Sequence, residues 1–522
     1  MYEKLFPNKQ LETQGNVDGY NSPMSVEKQD IEGVPIPDGS TVSDKAISAA
    51  EKTNSVLSEL EEAVASEEVS AVDASEEKPM LRPLEAFPVD GPGGQKLLAL
   101  YDPSGIAPEP VTLPPLGAAV IDLCDGTRTR DEIVAEFAAR YRRTLSAEAL
   151  EALLKRLDDA LLLDSTNFRL YCAKVFAEFS HSPNRPPLGA GALYPKEPEA
   201  LQKSLAGAFE PPNGPGFGFS QATEKSGEAT LKQNGEKSAA IKAPRAVMLP
   251  SIEPKAAGPA YAWGLVSLLR AETFPTLIVM FGCDHGAADP TLTFTRKNYQ
   301  SVLGGLQTDV GLVDSILADA TAQNSELGEL LVRDEFHHRN EHSLELLSLW
   351  LCFLLEERKR RGFSDEPPKV LPILCGSLHD FAQATGSRAQ GVQDTRLIDE
   401  TVHLIQQRVG PRQQLGERVL WLASADLAHV GPRFGDAQPI ADEDRDSLER
   451  RDRQTIKPLL MGDAQTFLAE IKREADRRHV VGLGTIYTFL QAARPTGGSL
   501  RCYAQCAVAP NSYISTASVV FP

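Results

Sequence analysis

RVLWLASADLAHVGPRFGD, residues 418–436, starts as a strand and ends as a site. Its first half is an unbroken apolar run, the pattern of a strand covered on both faces. Its second half passes at once into small, turn-forming and titratable residues, Asp426 and His429 among them. Three other segments repeat this grammar. AVML (246–249) leads into Pro250-Ser251-Ile252-Glu253, TLIVMFG (276–282) into Cys283-Asp284-His285, and VLPIL (370–374) into Cys375-Gly376-Ser377-Leu378-His379. Helical patterns separate the four runs, which predicts an α/β domain with a largely parallel sheet. In such sheets the ligand crevice lies beyond the carboxyl ends of the strands, so the four turns are expected to converge on one pocket.

A fifth segment, DEFHHRNEHSLELLSLWLCFLL (334–355), reads as a long apolar helix with His338, Glu341 and His342 at its start. Residues four apart share a helix face, so His338 and His342 are candidates for a common ligand, and H-x-x-E-H also fits one zinc-protease pattern. Histidines at a helix start are more often solvated or capping groups. Asp426 and His429, three apart in a strand-end turn, form a candidate carboxylate–imidazole pair for general-base work. The plainer alternative is a structural hydrogen bond tying the turn together. Cys283 and Cys375 lie at strand ends, where thiols more often pack than react. No phosphate-binding glycine loop and no paired CxxC zinc motif is present.

The chain has 522 residues and a net charge of −19, which disfavours nucleic acid and anionic membrane as partners. Residues 1–79 hold 17 acidic and 6 basic side chains with few aromatics, the composition of a disordered acidic tail. Residues 80–170 are expected to form a small winged-helix-like module. In it Asp125-Gly126 marks a turn, Thr129 and Glu132 form a capping box, Ser146 caps a third helix, and Leu161-Leu162-Leu163-Asp164 is a candidate wing strand. The α/β domain then runs over 171–522, interrupted at 212–244 by a Gly-, Ser-, Lys- and Glu-rich insertion expected to be mobile. Seven scattered cysteines are not a disulfide framework, the first residues lack a secretory apolar core, and no run is long enough to span a membrane. A reducing cytoplasm is the expected setting.

Two resemblances follow from these motifs. LCDGTRTRDEI (123–133) followed by LDDALLLD (157–164) resembles PqqD-like domains, which bind a peptide handed to a radical-SAM enzyme. AGALYP (190–195), GPAYAW (258–263), the G-x-x-H turn (282–285), RNEHSLE (339–345), PILCGSL (372–378) and SADLAHVGPRFGD (424–436), in that order, resemble the Memo family, in its AmmeMemoRadiSam system protein B branch. The resemblance implies a core related to class III extradiol dioxygenases, a pocket with two His and one Cys suited to iron or copper, and partners in a radical-SAM enzyme and an AMMECR-type protein.

Position by position, the resemblance carries over unevenly. The histidine of the G-x-x-H turn is His285, the position implied to bind metal. The first family histidine falls on Ser251, and the family cysteine, before a Gly-Leu pair in RRHVVGLGTIY (477–487), falls on Val481. Two of three ligand positions are therefore without a good donor, and metal binding is expected to be weak or absent. His479, Cys283 and Glu253 are the nearest substitutes. Glu341, His342, Asp426 and His429 remain as the catalytic candidates of the pocket. Three readings stand open: a component of a radical-SAM-linked modification system, a metal-dependent oxygenase or hydrolase, and a noncatalytic scaffold that binds a peptide.

Overall fold

A computed structural model describes residues 78–522 apart from 92–93, 103, 108–109, 218–240, 288 and 385–393. Most of the acidic tail expected over 1–79, and the middle of the insertion expected at 212–244, lie outside the described residues. The chain separates into two compact units between His181 and Ser182. The break thus falls after the helix Thr166–His181 rather than at 170/171.

The first unit pairs strands β1 (Glu85–Asp90), β2 (Lys96–Tyr101) and β3 (Val111–Leu113) in an antiparallel sheet. Helices α1 (Pro115–Ile121), α2 (Arg130–Tyr141), α3 (Ala147–Asp159) and α4 (Thr166–His181) follow. The expected capping box is formed: Glu132 N–H donates to Thr129 Oγ1 at 3.3 Å and Thr129 N–H to Glu132 Oε2 at 2.8 Å. Ser146 Oγ accepts the Ala149 amide at the start of α3. The wing strand expected at 161–164 is corrected. The sheet comes from residues before the helices, and Leu163 contributes only an isolated bridge to Leu81. Leu161 sits at φ +62, which turns the chain, and Leu162 is fully buried, so this leucine run plugs the core instead of extending a strand.

The second unit is built on a sheet of eleven strands. At its centre β5 (Ala246–Leu249), β11 (Val419–Ser424), β6 (Leu277–Cys283) and β10 (Lys369–Cys375) lie side by side in that order, all parallel. All the residues of β5, β6 and β11 are buried. Alternation assigns their side chains to two cores: Leu277, Val279, Phe281, Leu371, Ile373 and Trp421 face one, and Ile278, Met280, Val247, Val370 and Leu422 the other. Helices on both faces are what these continuous apolar runs require.

On one face α6 (Pro254–Leu269) and α10 (Ser343–Arg360) bring Tyr261 and Trp350 together, rings stacked 5.1 Å apart. On the other lie α7 (Val310–Gln323), α12 (Arg396–Gln414) and α15 (Leu483–Ala493), through Ile316, Ile405 and Phe489. The long terminal strand β14 (Ser512–Phe521) closes the sheet antiparallel to β5. β11 enters the sheet between β5 and β6 although it follows β10 in the chain. The carboxyl ends of four neighbouring strands therefore open at one edge.

Two glycines set how closely the next layer approaches that edge. A Cβ on Gly282 would collide with Ser343 Oγ and Leu344 Cγ at the start of α10, and one on Gly482 with Asp426 O and Ala425 Cβ. Gly282→Ala is expected to destabilise the unit by about 1–3 kcal/mol, the usual cost of overpacking a filled core. Chemical denaturation checks this; an unchanged midpoint would show that α10 does not rest on the strand end.

Candidate functional site

Glu341 is the hub of the strand-end cluster. It follows a single helical turn, His337–Asn340, and adopts an extended conformation before α10 begins. Its Oε1 accepts the Ser343 amide at 3.0 Å, which places a carboxylate at a helix N-terminus. Its Oε2 faces His285 twice, accepting from the backbone amide at 3.2 Å and the ring Nδ1 at 2.8 Å. The His342 Nδ1 lies 3.3 Å from Oε1, and the His285 and His342 rings are 5.0 Å apart and 13° from parallel. Burial works against ionisation of Glu341, but the two imidazoles hold its carboxyl well below the usual carboxylate range. Burial likewise works against charge on His285, yet Glu341 outweighs it and raises that imidazole to about 9. For His342, burial prevails and the shift is downward.

Ser251 and Asp426 complete the cluster. The Ser251 amide donates to Asp426 Oδ1 at 3.0 Å, and the Ser251 backbone also hydrogen-bonds the His342 ring. The Ser251 hydroxyl is buried with no hydrogen-bond partner among the described residues. Burial raises the Asp426 carboxyl to about 7 despite the Ser251 amide. The structure thus brings Ser251, His285, Glu341, His342 and Asp426 together.

Asp426 and His429 do not form the pair their spacing suggested. No hydrogen bond joins them among the described residues. His429 is buried, its Nδ1 donates to Leu427 O at 3.3 Å, and its ring meets Phe434 edge-on at 5.0 Å. Burial lowers it to about 4, so it stays neutral. The strand β12 (His429–Val430) pairs with β14, and the His429 ring makes its hydrogen bonds to backbone carbonyls rather than to Asp426.

His338 leaves the cluster altogether. It is fully buried, with Nδ1 against Tyr299 OH at 2.7 Å and Nε2 against Thr293 O at 3.0 Å. Both nitrogens are occupied, burial lowers it to about 3, and the H-x-x-E-H reading falls with it. The helical turn ends at Asn340, so His338 and His342 do not share a helix face.

A cavity of about 260 Å³ opens beside the cluster, lined by Cys283, Asp284, His285, Cys375, Ser377, His379, His479 and Val481 among others. Burial pushes both thiols up, Cys283 also accepting from Thr485 Oγ1, so neither is an activated nucleophile. His379 and His479, whose rings meet edge-on at 5.5 Å, were not among the sequence candidates for catalysis. His379 Nδ1 lies 2.7 Å from Asp476 Oδ2, across 97 positions of chain, which no local spacing announces. His337 pairs with Asp284 at 3.0 Å in the same way.

His285, Glu341 and His342 carry donor atoms within 4.8 Å of one another, a set of two imidazoles and one carboxylate. The distances suit a metal, but the directions do not. Imidazole lone pairs lie in the ring plane, and two nearly parallel stacked rings do not aim at one ion. As placed, Glu341 orients His285 through Nδ1 and leaves Nε2 as the free nitrogen of a ring that is 41% exposed at the cavity.

Comparison with known proteins gives two matches along the chain. Residues 185–520 match a family described as Memo-like protein, and residues 99–163 match coenzyme PQQ synthesis protein D (PqqD). A MEMO1 family protein of Aquifex aeolicus is 23% identical over 434 residues, covering 82% of this chain and 97% of the relative. A MEMO1 family protein of Methanosarcina mazei is 24% identical over 45% of this chain and 67% of its own length. MEMO1 family protein MK0963 of Methanopyrus kandleri is 22% identical over 60% and 88%.

Replacing Glu341 with Gln should drop the His285 pKa from about 9 to its ordinary 6.5 or below, read by NMR titration. A raised imidazole contributes fully below about 6.5, and that contribution is lost as pH rises through about 9. Stability of the wild type should therefore fall over this window more steeply than that of Glu341→Gln. Equal slopes would show that the pair is not an ion pair in solution.

Proposed function

The chain belongs to the Memo-like family, and on that premise we propose that it is a component of an AmmeMemoRadiSam-type modification system whose Memo-like unit binds a small ligand or peptide end at the strand-end cavity. The core is read as related to class III extradiol dioxygenases, which fits the parallel strands and the site at their carboxyl ends. The PqqD-matching segment is read as the docking module, winged-helix-like in its helices, for a peptide or partner. A radical-SAM enzyme and an AMMECR-type protein are the partners this company implies. A reducing cytoplasmic setting belongs to the same proposal; all seven cysteines are free, and no helix among the described residues is long and apolar enough to cross a membrane.

The observation that carries the reading is the presence in one chain of a PqqD-matching segment and a Memo-like unit. Its test is co-expression of the full chain with the radical-SAM enzyme and the AMMECR-type protein of its own genome. Co-elution with at least one of them is expected, and separate elution from both removes the proposal.

The redox metal that the family resemblance implies does not fit the residues at its positions. Val481 offers no donor atom, and a serine hydroxyl is a poor ligand at neutral pH. Ser251 is moreover tied through its amide to Asp426, with its hydroxyl left unpartnered among the described residues. A second reading, a metal-dependent oxygenase, is favoured by one observation, the His285–Glu341–His342 donor set, and opposed by the direction of its rings. Anaerobic titration with iron(II) and copper separates the two. The wild type should bind weakly, and the double change Ser251→His with Val481→Cys should tighten binding by about 100-fold or more, beyond what outer-shell changes alone give. Tight, stoichiometric binding by the wild type would establish the second reading.

A further inference from the structure

The cavity beside the cluster has two oriented imidazoles, and only one of them stands at a position the family resemblance points to. His285 is backed by Glu341. Across the same cavity His379 stands on the turn after β10, backed by Asp476. We propose that His379 is the general base of this cavity, held by Asp476 and acting on water or a hydroxyl group beside a small carbonyl-type substrate such as an ester. This rests on the reading of the cavity as the ligand site, though not on the identity of the partners.

The tautomer follows from the partners. A carboxylate only accepts, so Nδ1, 2.7 Å from Asp476 Oδ2, carries a proton. In the neutral ring Nε2 is then an acceptor, and a substrate or water must displace the side chain that occupies it. The Gln383 side-chain amide nitrogen sits 2.7 Å from Nε2, a donor placed where a substrate proton would be. The Asp476 carboxylate is 1% exposed and His379 34%, so the orienting group is buried while the imidazole is partly exposed at the cavity it lines. This is the arrangement in which an acid fixes a base without itself taking the proton.

Asp476 is held in turn by several independent bonds. Its Oδ1 accepts the Val480 amide at 2.9 Å, and its own amide donates to Ile471 O at 3.1 Å. Ala475, Asp476 and His479 all lie at positive φ, between 45° and 52°. Three non-glycine residues in the left-handed region within five positions represent backbone strain, which persists only where the surroundings impose it. Arg478 imposes it here. Its guanidinium is buried against Asp452 and Thr455, while its carbonyl accepts the His429 amide. Asp452 and Arg478 are positioning residues for the wall that carries Asp476, His479 and Val481.

The groups facing His379 are Asp476, the neighbouring Asp380, Gln383 and the His479 ring. Hydrogen bonding to Asp476 is the largest influence and raises the imidazole, partly offset by burial. In the step itself, a cavity water gives its proton to Nε2 as its oxygen bonds to the substrate carbon. The water O–H bond breaks and the N–H bond forms while the carbonyl π pair moves onto its oxygen; as that carbonyl re-forms, the ester C–O bond breaks and Nε2–H returns the proton to the leaving oxygen. No oxidant or metal is needed for the balance.

Two measurements on the full chain test this. The first is the tautomer of His379 by long-range nitrogen-15 NMR at neutral pH. The Nδ1–H form is expected in the wild type, and loss of that preference, with a downward shift in its titration, in Asp476→Asn. The second is hydrolysis of p-nitrophenyl acetate. The wild type should exceed free imidazole at equal concentration by at least about 100-fold, the low end of general-base catalysis. His379→Gln should lose at least tenfold of that rate. Asp476→Asn should lose activity and move the pH midpoint down, which a merely structural change would not do. A wild-type rate no better than free imidazole, a rate that survives His379→Gln, or an Nε2–H tautomer would overturn the proposal. Co-elution with a partner would be untouched by any of these, so the two readings fail separately.

Discussion

Arg185 is fully buried, and the placement of its guanidinium decides where the RNEHSLE segment lies. One nitrogen donates to the His338 carbonyl at 3.0 Å, another to the Glu341 carbonyl at 2.9 Å, and a third pairs with the buried carboxylate of Glu345. Glu345 also accepts the Gly189 amide at 2.8 Å and the Tyr194 hydroxyl. Thus the AGALYP turn and the RNEHSLE segment, some 150 residues apart, are held on one buried ion. A buried charge whose partner is removed typically costs 3–5 kcal/mol, so this arrangement tolerates little drift. Glu341 comes to His285 because its backbone has nowhere else to go.

From that anchor the site assembles by close approach. Gly282 lets the start of α10 lie on the end of β6, and Ser343 bonds the Cys283 carbonyl across the contact. Gly482 lets the opposite wall lie on the turn after β11. The cavity is left between these walls, and two of its imidazoles, His285 and His379, are each backed by a carboxylate. The positions the family resemblance assigns to metal ligands hold a tethered serine and a valine, and proton transfer is the chemistry we propose for this cavity.

Much of the second unit was legible because strands buried on both faces announce themselves. AVML, TLIVMFG, VLPIL and RVLWLAS are β5, β6, β10 and β11, and their turns do meet at one edge. Ser251, His285, Glu341, His342 and Asp426 were found because each stands directly after a strand or before a helix. The misreadings came from treating spacing as contact. Asp426 and His429 are near in sequence, but His429 bonds the Leu427 carbonyl and Asp426 the Ser251 amide. His338 and His342 fit a helical interval, but the helix breaks between them.

What the amino-acid order determined by itself is what local chemistry can carry: apolar runs that must be covered on both sides, caps that start helices, and glycines that permit approach. Which carboxylate meets which imidazole was decided only in three dimensions. His379 and Asp476 are 97 positions apart, and His285 and Glu341 are 56 apart. Such pairs have no period and no motif. They exist because sheet order, two glycine contacts and one buried arginine bring separate segments to the same edge, where a buried acid is stable only beside a group that can share its charge.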